Sequence, residues 1–255
     1  MITGQLRNKV DKIWETFWTG GITNPLDVIE QFTYLIFIKN LDDIETTKEN
    51  DASLLGFDYA GMFPKDKQHL RWSKFKNYEA ATMYKIVQEE VFPFIKTLHS
   101  NADSAYSKYM GDAIFKIPTP QMLSKIVDSI STIDMEEEAD TKGDLYEYIL
   151  SRLSTSGTNG QFRTPRHIID MIVKIMKPSP EDIIIDPAVG SAGFLVLSQQ
   201  YLRDNYPDLF FDTEKKEHFN NTMFYGYDMD RTMLRIGAMN MMMHGVENPN
   251  IEYKD

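Results

Sequence analysis

The chain has 255 residues, 42% hydrophobic and 25% charged, an ordinary balance for a soluble globular protein and enough for one large domain or two modest ones. It has no cysteine, which excludes disulfides, cysteine-ligated zinc and thiolate catalysis, and its five histidines show no metal-ligand spacing. A formal net charge of −11 weighs against simple nucleic-acid binding, which needs clustered Lys and Arg, so a DNA role needs basic surface from a partner. Residues Met1 to Trp14 carry charges throughout with no apolar core, and no stretch approaches the ~18 uninterrupted apolar residues of a spanning helix. The expectation is a cytoplasmic protein with no membrane partner.

The first half reads as helical. Leu6, Val10, Ile13, Trp14, Phe17 and Trp18 recur at helical spacing, and Gly20-Gly21 ends the run. Asn24 caps a second helix with Pro25 at its first position and Val28, Ile29, Phe32, Leu35 and Ile36 as its apolar stripe. Lys65, Lys67, Arg71, Lys74 and Lys76 face only Asp66, a solvated basic loop. From Asn77 a third helix carries Ala81, Tyr84, Val87 and Val91 and is disturbed at Pro93. Thr119-Pro120 opens a fourth, with Met122, Leu123, Ile126, Val127 and Ile130 on one face. Residues 1–133 therefore read as a helical domain. Residues 134–160 read as a junction: five acids between Asp134 and Asp140, a short helix with Leu145, Tyr148 and Ile149 inward, and a polar loop from Ser154 to Gly160.

From residue 161 the grammar changes. Thr164-Pro165 starts a helix with Ile168, Ile169, Ile172, Val173 and Met176 on its apolar side. Ile183–Ile185 reads as a buried strand, Phe194 to Arg203 as a helix and Met223 to Tyr227 as a second strand. Arg231 to His244 reads as a helix ended by Gly245, and Ile251 to Tyr253 begins a third strand. Strands alternating with helices imply a parallel sheet with right-handed crossovers. Asp204 to Asn221 looks like an insertion between helix and strand.

A ligand site belongs at the carboxyl ends of such strands. Asp186-Pro187-Ala188-Val189-Gly190-Ser191-Ala192-Gly193 follows the first strand, a small-residue turn that lets a ligand approach backbone amides at a helix start. It lacks the lysine and spacing of a P-loop and the Gly-x-Gly-x-x-Gly of a dinucleotide site, and Asp186 opposes a pyrophosphate. A zwitterionic, phosphate-free cofactor fits better. Asp186 suits an ammonium, Asp228 a ribose diol, Met229 the wall of a purine and Asp255 its amino group. Asp230, just before Arg231, reads instead as a helix cap.

Gly160-Gln161-Phe162-Arg163-Thr164-Pro165-Arg166, then Asp186 to Leu195, then Gly226-Tyr227-Asp228 resemble the ordered motifs of the adenine-N6 DNA methyltransferases. More narrowly, with Ile29 to Leu41 and Asp42-Asp43, they resemble the modification subunit of Type I restriction–modification systems over essentially the whole chain. The resemblance implies α/β architecture with an N-terminal all-α domain, the parallel sheet being that of a class I S-adenosylmethionine-dependent (Rossmann-like) methyltransferase, truncated after its first strands. It implies S-adenosylmethionine as cofactor, held by Gln161, Phe162, Arg163, Thr164, Pro165 and Arg166, by Asp186, Ala188, Gly190, Ser191, Ala192 and Gly193, and by Asp228, Met229 and Asp255. It also implies a DNA specificity subunit, a second modification subunit, a restriction subunit, and double-stranded DNA met mainly through the complex. Ala192 stands where many members have glycine, which is tolerable if φ is negative there.

The family holds a flipped adenine with an Asn-Pro-Pro-aromatic motif, placing the amino nitrogen in line with the methyl group. This chain contains none; Asn248-Pro249-Asn250 lacks the second proline and the aromatic and reads as a turn. Catalytic residues are therefore expected beyond Asp255, in a natural protein longer than 255 residues, with this segment inactive alone. The family's fourth strand pairs beside the first, so the edge of Ile183–Ile185 should be open. Two other readings stay open: a non-catalytic assembly module docking a specificity subunit, and a methyltransferase acting on RNA or protein.

Overall fold

The computed structural model describes residues 4–98, 105–133, 145, 148–152 and 164–255. The acidic run 134–140, the polar loop 154–160 and Gln161, Phe162 and Arg163 lie outside these. The chain divides into two compact units, Met1–Leu98 with Ile114–Arg152, and His99–Ala113 with Leu153–Asp255.

In the first unit, α1 (Gly4–Thr19) stops where Gly21 takes φ +100°. Asn24 then accepts the Leu26 N–H, and Pro25, whose missing N–H is no loss at a first position, starts α2 (Pro25–Leu55). At 31 residues α2 far outruns the predicted stripe, and Gly56 at φ +73° closes it onto the Ala52 carbonyl. Its first half is buried nearly all round, from Val28 to Ile38. Its second half has no apolar stripe because Asp42, Glu45, Thr46 and Glu49 grip the segment that follows, a 3₁₀ turn (Lys65–Leu70) and the short α3 (Trp72–Phe75). Arg71 donates to Asp42, Glu49, Thr46 and Gln68 and is buried, so it leaves the predicted solvated loop while Lys65, Lys67, Lys74 and Lys76 stay exposed.

The helix predicted to be disturbed at Pro93 runs as α4 (Ala80–Ile86), a π turn (Val87–Val91) and α5 (Phe92–Lys96). Proline lacks an N–H, and its ring meets the carbonyl four residues back; the wider turn accommodates both. In the second unit, α6 is Ala105–Met110. In the first, Thr119 caps α7 (Pro120–Ser131), which buries all five predicted residues of its face. Leu145 and Ile149 are buried as expected, whereas Tyr148 is half-buried and donates its hydroxyl to Asp11.

In the second unit, α8 (Arg166–Met176) precedes β1 (Ile184–Asp186), α9 (Gly193–Asn205), a 3₁₀ turn (Pro207–Phe211), α10 (Thr213–Asn221), β2 (Phe224–Asp228), α11 (Arg231–Met243) and β3 (Asn250–Tyr253). The three strands are parallel in the order β1-β2-β3, pairing Asp186 with Gly226 and Asp228 with Tyr253. The linear boundary at residue 133 places α6 with the helical half. In space it packs on α11 and β3, where Arg235 donates to the Tyr109 carbonyl and the Tyr109 hydroxyl accepts the Tyr253 N–H. Residues 204–221 run from the end of α9 toward β2, where the sequence indicates an insertion, and they pack into the unit: Phe219 is fully buried, edge-on to Phe210 and to Phe224 of β2.

The buried first strand needs correction. Ile184 packs toward the core formed by Leu195, Phe224 and Leu234, but Ile183 and Ile185, on the alternate face, are 60% and 58% exposed. Likewise α8 buries only Ile169 and Val173; Ile175 and Met176 are 68% and 73% exposed. An apolar groove of about 550 Å³ lies between this helix and β1, lined by Ile172, Met176, Ile183, Ile185 and Phe194. Parallel strands are normally covered on both faces, and here one face is bare.

Candidate functional site

The second unit brings the carboxyl ends of β1 and β2 side by side, and each ends in an aspartate. A parallel strand pair puts its side chains in register, so Asp186, opposite Gly226, lies one step from Asp228. Gly226 is required there: a Cβ would stand 2.6 Å from the Val189 side chain. The glycine turn then crosses the end of β2. The Val189 N–H donates to the Tyr227 carbonyl, and the Gly190 N–H to Asp228 Oδ2 at 2.9 Å. Asp228 Oδ1 accepts the Asp230 N–H, and Asp186 Oδ1 the Ala188 N–H.

Both carboxylates thus organise backbone amides while staying half-exposed, and no cation among the described residues forms an ion pair with either. Burial pushes the Asp186 carboxyl above the ordinary range; the Ala188 N–H opposes this and the charge of Asp228 adds to it. An uncompensated negative pair next to open space suits a ligand that brings positive charge or hydroxyl donors.

Gly190 has φ +48° and open space where a Cβ would be, so the turn is both strained for other residues and accessible. Ala192 is the surprise. It takes φ +66°, outside the negative range in which alanine is readily tolerated, and stands as the N-terminal boundary of α9 without capping it by a side chain. A left-handed alanine costs about 1 kcal/mol or more. Its methyl group is fully buried in the core cluster, which offsets part of that strain. The first turn of the 13-residue α9 thus presents backbone amides with no side-chain cap.

The other predicted residues distribute as follows. Ala188 is exposed, Gly193 half-buried, and Ser191 buried, so Ser191 and Ala192 offer backbone more than side chain. Met229 is 59% exposed beside Asp228. Asp255 is exposed after β3, next to Lys254, whose N–H donates to the Asp228 carbonyl and whose ammonium lies over the Tyr227 ring. Thr164 and Pro165 lead into α8, and Arg166 donates to Gln200 of α9. Asp230 caps α11 through the Thr232 and Met233 amides, as expected. Asn248, in the turn before β3, and Asn250, the first residue of β3, both donate to Asn221.

Two residues outside the predicted set touch the glycine turn from below, Gly237 and Asn240 of α11. Their signals were present: a glycine inside a helix, and one amide within the run Met239-Asn240-Met241-Met242-Met243.

Comparison with known proteins divides the chain in linear order. The family model described as HsdM N-terminal domain matches residues 6–130, and that described as N-6 DNA Methylase matches residues 137–255. The Type I restriction enzyme EcoEI methylase subunit of Escherichia coli is 27% identical over 90% of this chain and 47% of its own length. The StySPI methylase subunit of Salmonella potsdam is 27% identical over 97% of this chain and 44% of its own. This chain therefore spans about half the length of the curated relatives it matches. A crystal structure of a modification subunit from Vibrio vulnificus YJ016 shares the fold, with TM-score 0.79 and 20% identity over all of this chain and 56% of that one.

Proposed function

We propose that this chain, whose two halves match the HsdM N-terminal domain and N-6 DNA Methylase models, supplies the cofactor-binding half of a site-specific DNA adenine-N6 methyltransferase subunit of the Type I restriction–modification kind. The observation that carries this reading is the pair of uncompensated aspartates at adjacent strand ends, tied to an accessible glycine turn at an uncapped helix start.

S-adenosylmethionine fits these residues, having an ammonium, a carboxylate, a ribose diol and no phosphate. Asp186 would hold the ammonium, the amides at the start of α9 the carboxylate, and Asp228 the diol. Met229 and Asp255 would serve the adenine, and Ala188, Gly190, Ser191, Ala192 and Gly193 the backbone cradle. Gln161, Phe162, Arg163, Thr164, Pro165 and Arg166 form the approach. When bound, the cofactor supplies an electrophilic methyl group on a sulfonium. This chain's residues bind and orient it; the groups that hold the target adenine belong to an Asn-Pro-Pro-aromatic motif that the 255 residues do not contain. We therefore assign the segment no transfer activity of its own.

The working unit is a cytoplasmic complex in which a specificity subunit, a second modification subunit and a restriction subunit join this one. A charge of −11 accords with double-stranded DNA being held mainly by those partners. We keep the linear domain boundaries at 133 and 161 as part of this reading; α6 groups with the second unit. Calorimetric titration with S-adenosylmethionine tests the reading: wild type should bind, and Asp228→Ala should bind about tenfold more weakly or worse. Equal affinity of the two contradicts the diol assignment. Tritiated cofactor with adenine-containing DNA should give no methyl transfer.

A further inference from the structure

The glycine turn rests on α11. A Cβ on Gly237 would stand 3.0 Å from the Gly190 carbonyl oxygen and 3.6 Å from the Ala192 nitrogen, so any other residue there makes the turn give way by a few tenths of an ångström. One turn later, the buried Asn240 donates its Nδ2 to the Ser191 carbonyl at 2.8 Å. Its Oδ1 is buried as well and has no partner among the described residues. On stability alone this is a poor arrangement, since an unpaired buried acceptor is destabilising and the neighbouring Met239 and Met241 show that apolar side chains fit this helix. What the amide does achieve is a hold on one peptide group, that of Ser191. That group lies between Gly190, whose N–H is fixed by Asp228, and the left-handed Ala192.

We propose that Gly237 and Asn240 are positioning residues of the cofactor site. They set the height and the peptide orientation of residues 190–192 from beneath while Asp228 fixes them from the strand side. Neither touches the ligand, and the buried amide is retained for the shape of the turn at the expense of the fold. The proposal rests on the reading that this turn cradles S-adenosylmethionine.

Two variants separate it from a packing role. Gly237→Ala sets its gain in helix propensity against a methyl 3.0 Å from the Gly190 carbonyl, and Asn240→Leu removes an unpaired acceptor together with the Ser191 bond, so both should melt within about 3 °C of wild type. Both should nevertheless bind S-adenosylmethionine about tenfold more weakly. In the unliganded protein, amides of 189–193 should exchange hydrogen several-fold faster while those of α11 stay as in wild type. Unchanged exchange across 189–193 in both variants overturns the proposal whatever the affinity, and so does faster exchange with undiminished affinity. A large loss of melting temperature in Asn240→Leu makes Asn240 a packing residue and overturns its part, leaving Gly237→Ala to decide the rest. If wild type itself fails to bind the cofactor, the functional reading falls, and the positioning proposal falls with it, even if exchange shows the turn pinned from below.

Discussion

Each unit uses acidic side chains to hold backbone amides, and they do it in opposite ways. In the helical unit, Asp42 is 3% exposed and accepts from both Arg71 and the Ser73 N–H. Glu45 is fully buried and accepts the Met62 and Phe63 amides and the Tyr59 hydroxyl. Burial and the hydrogen bond and charge of Glu45 push that phenol up to about 12. In the sheet unit, Asp186 and Asp228 also accept amides, but they are half-exposed and no described cation neutralises them. A buried, saturated carboxylate is a fastening. An accessible one with charge to spare is a place for something else to bind.

Breaking the fastening should have the largest effect. Asp42→Ala leaves the Arg71 guanidinium buried with fewer partners, and about 3 kcal/mol of stability should go, read as a lower urea midpoint. Asp228→Ala should cost only about 1–2 kcal/mol of stability, the worth of the Gly190 and Asp230 amide bonds, while cofactor affinity falls further. A loss of stability as large as that of Asp42→Ala would erase the contrast between the two acids.

The pH dependence sharpens it. Since the Asp186 carboxyl is held above the ordinary range, it takes up its proton earlier than an ordinary aspartate does as pH falls, and affinity for an ammonium-bearing ligand should fall with it. For stability the sign is opposite. A raised folded-state pKa contributes stability that is present below the unfolded value and lost as pH rises through the folded one. Asp186→Asn should therefore slightly stabilise the unliganded chain at neutral pH, lose that advantage in acid, and flatten the acid limb of binding; a parallel acid limb in the variant contradicts this. The smallest effect belongs to Ala192→Gly. Relief of the left-handed alanine and loss of its buried methyl oppose each other, and the melting temperature should move by about 2 °C or less.

How much of this could be read from the chain follows the range of the interactions. Asn24, Thr119 and Asp230 announced their helices because a cap is chemistry within three residues. Asp186, Gly190 and Asp228 could be placed at one site because parallel strands bring their carboxyl ends together whatever lies between. The angle at Ala192 could not be read, since it depends on a core position and on α11 lying beneath. Nor could the length of α2, whose second half is held by partners 14 to 31 residues away instead of by an apolar stripe. The docking of Tyr109 against Tyr253, 144 positions on, leaves no local trace at all. The bare face of β1 is the same lesson in reverse: an Ile-rich run predicts burial only if something is there to bury it.

That bare face has a practical consequence for every melting experiment named above. Ile183, Ile185, Ile175 and Met176 give the native chain an apolar surface of the kind that environment-sensitive dyes recognise. Such a dye should already fluoresce at room temperature, the response usually taken for a molten globule, although the side chains beneath are fixed. Dye-based thermal scans will begin from a high baseline, and near-ultraviolet circular dichroism or calorimetry is the readout that reports unfolding itself.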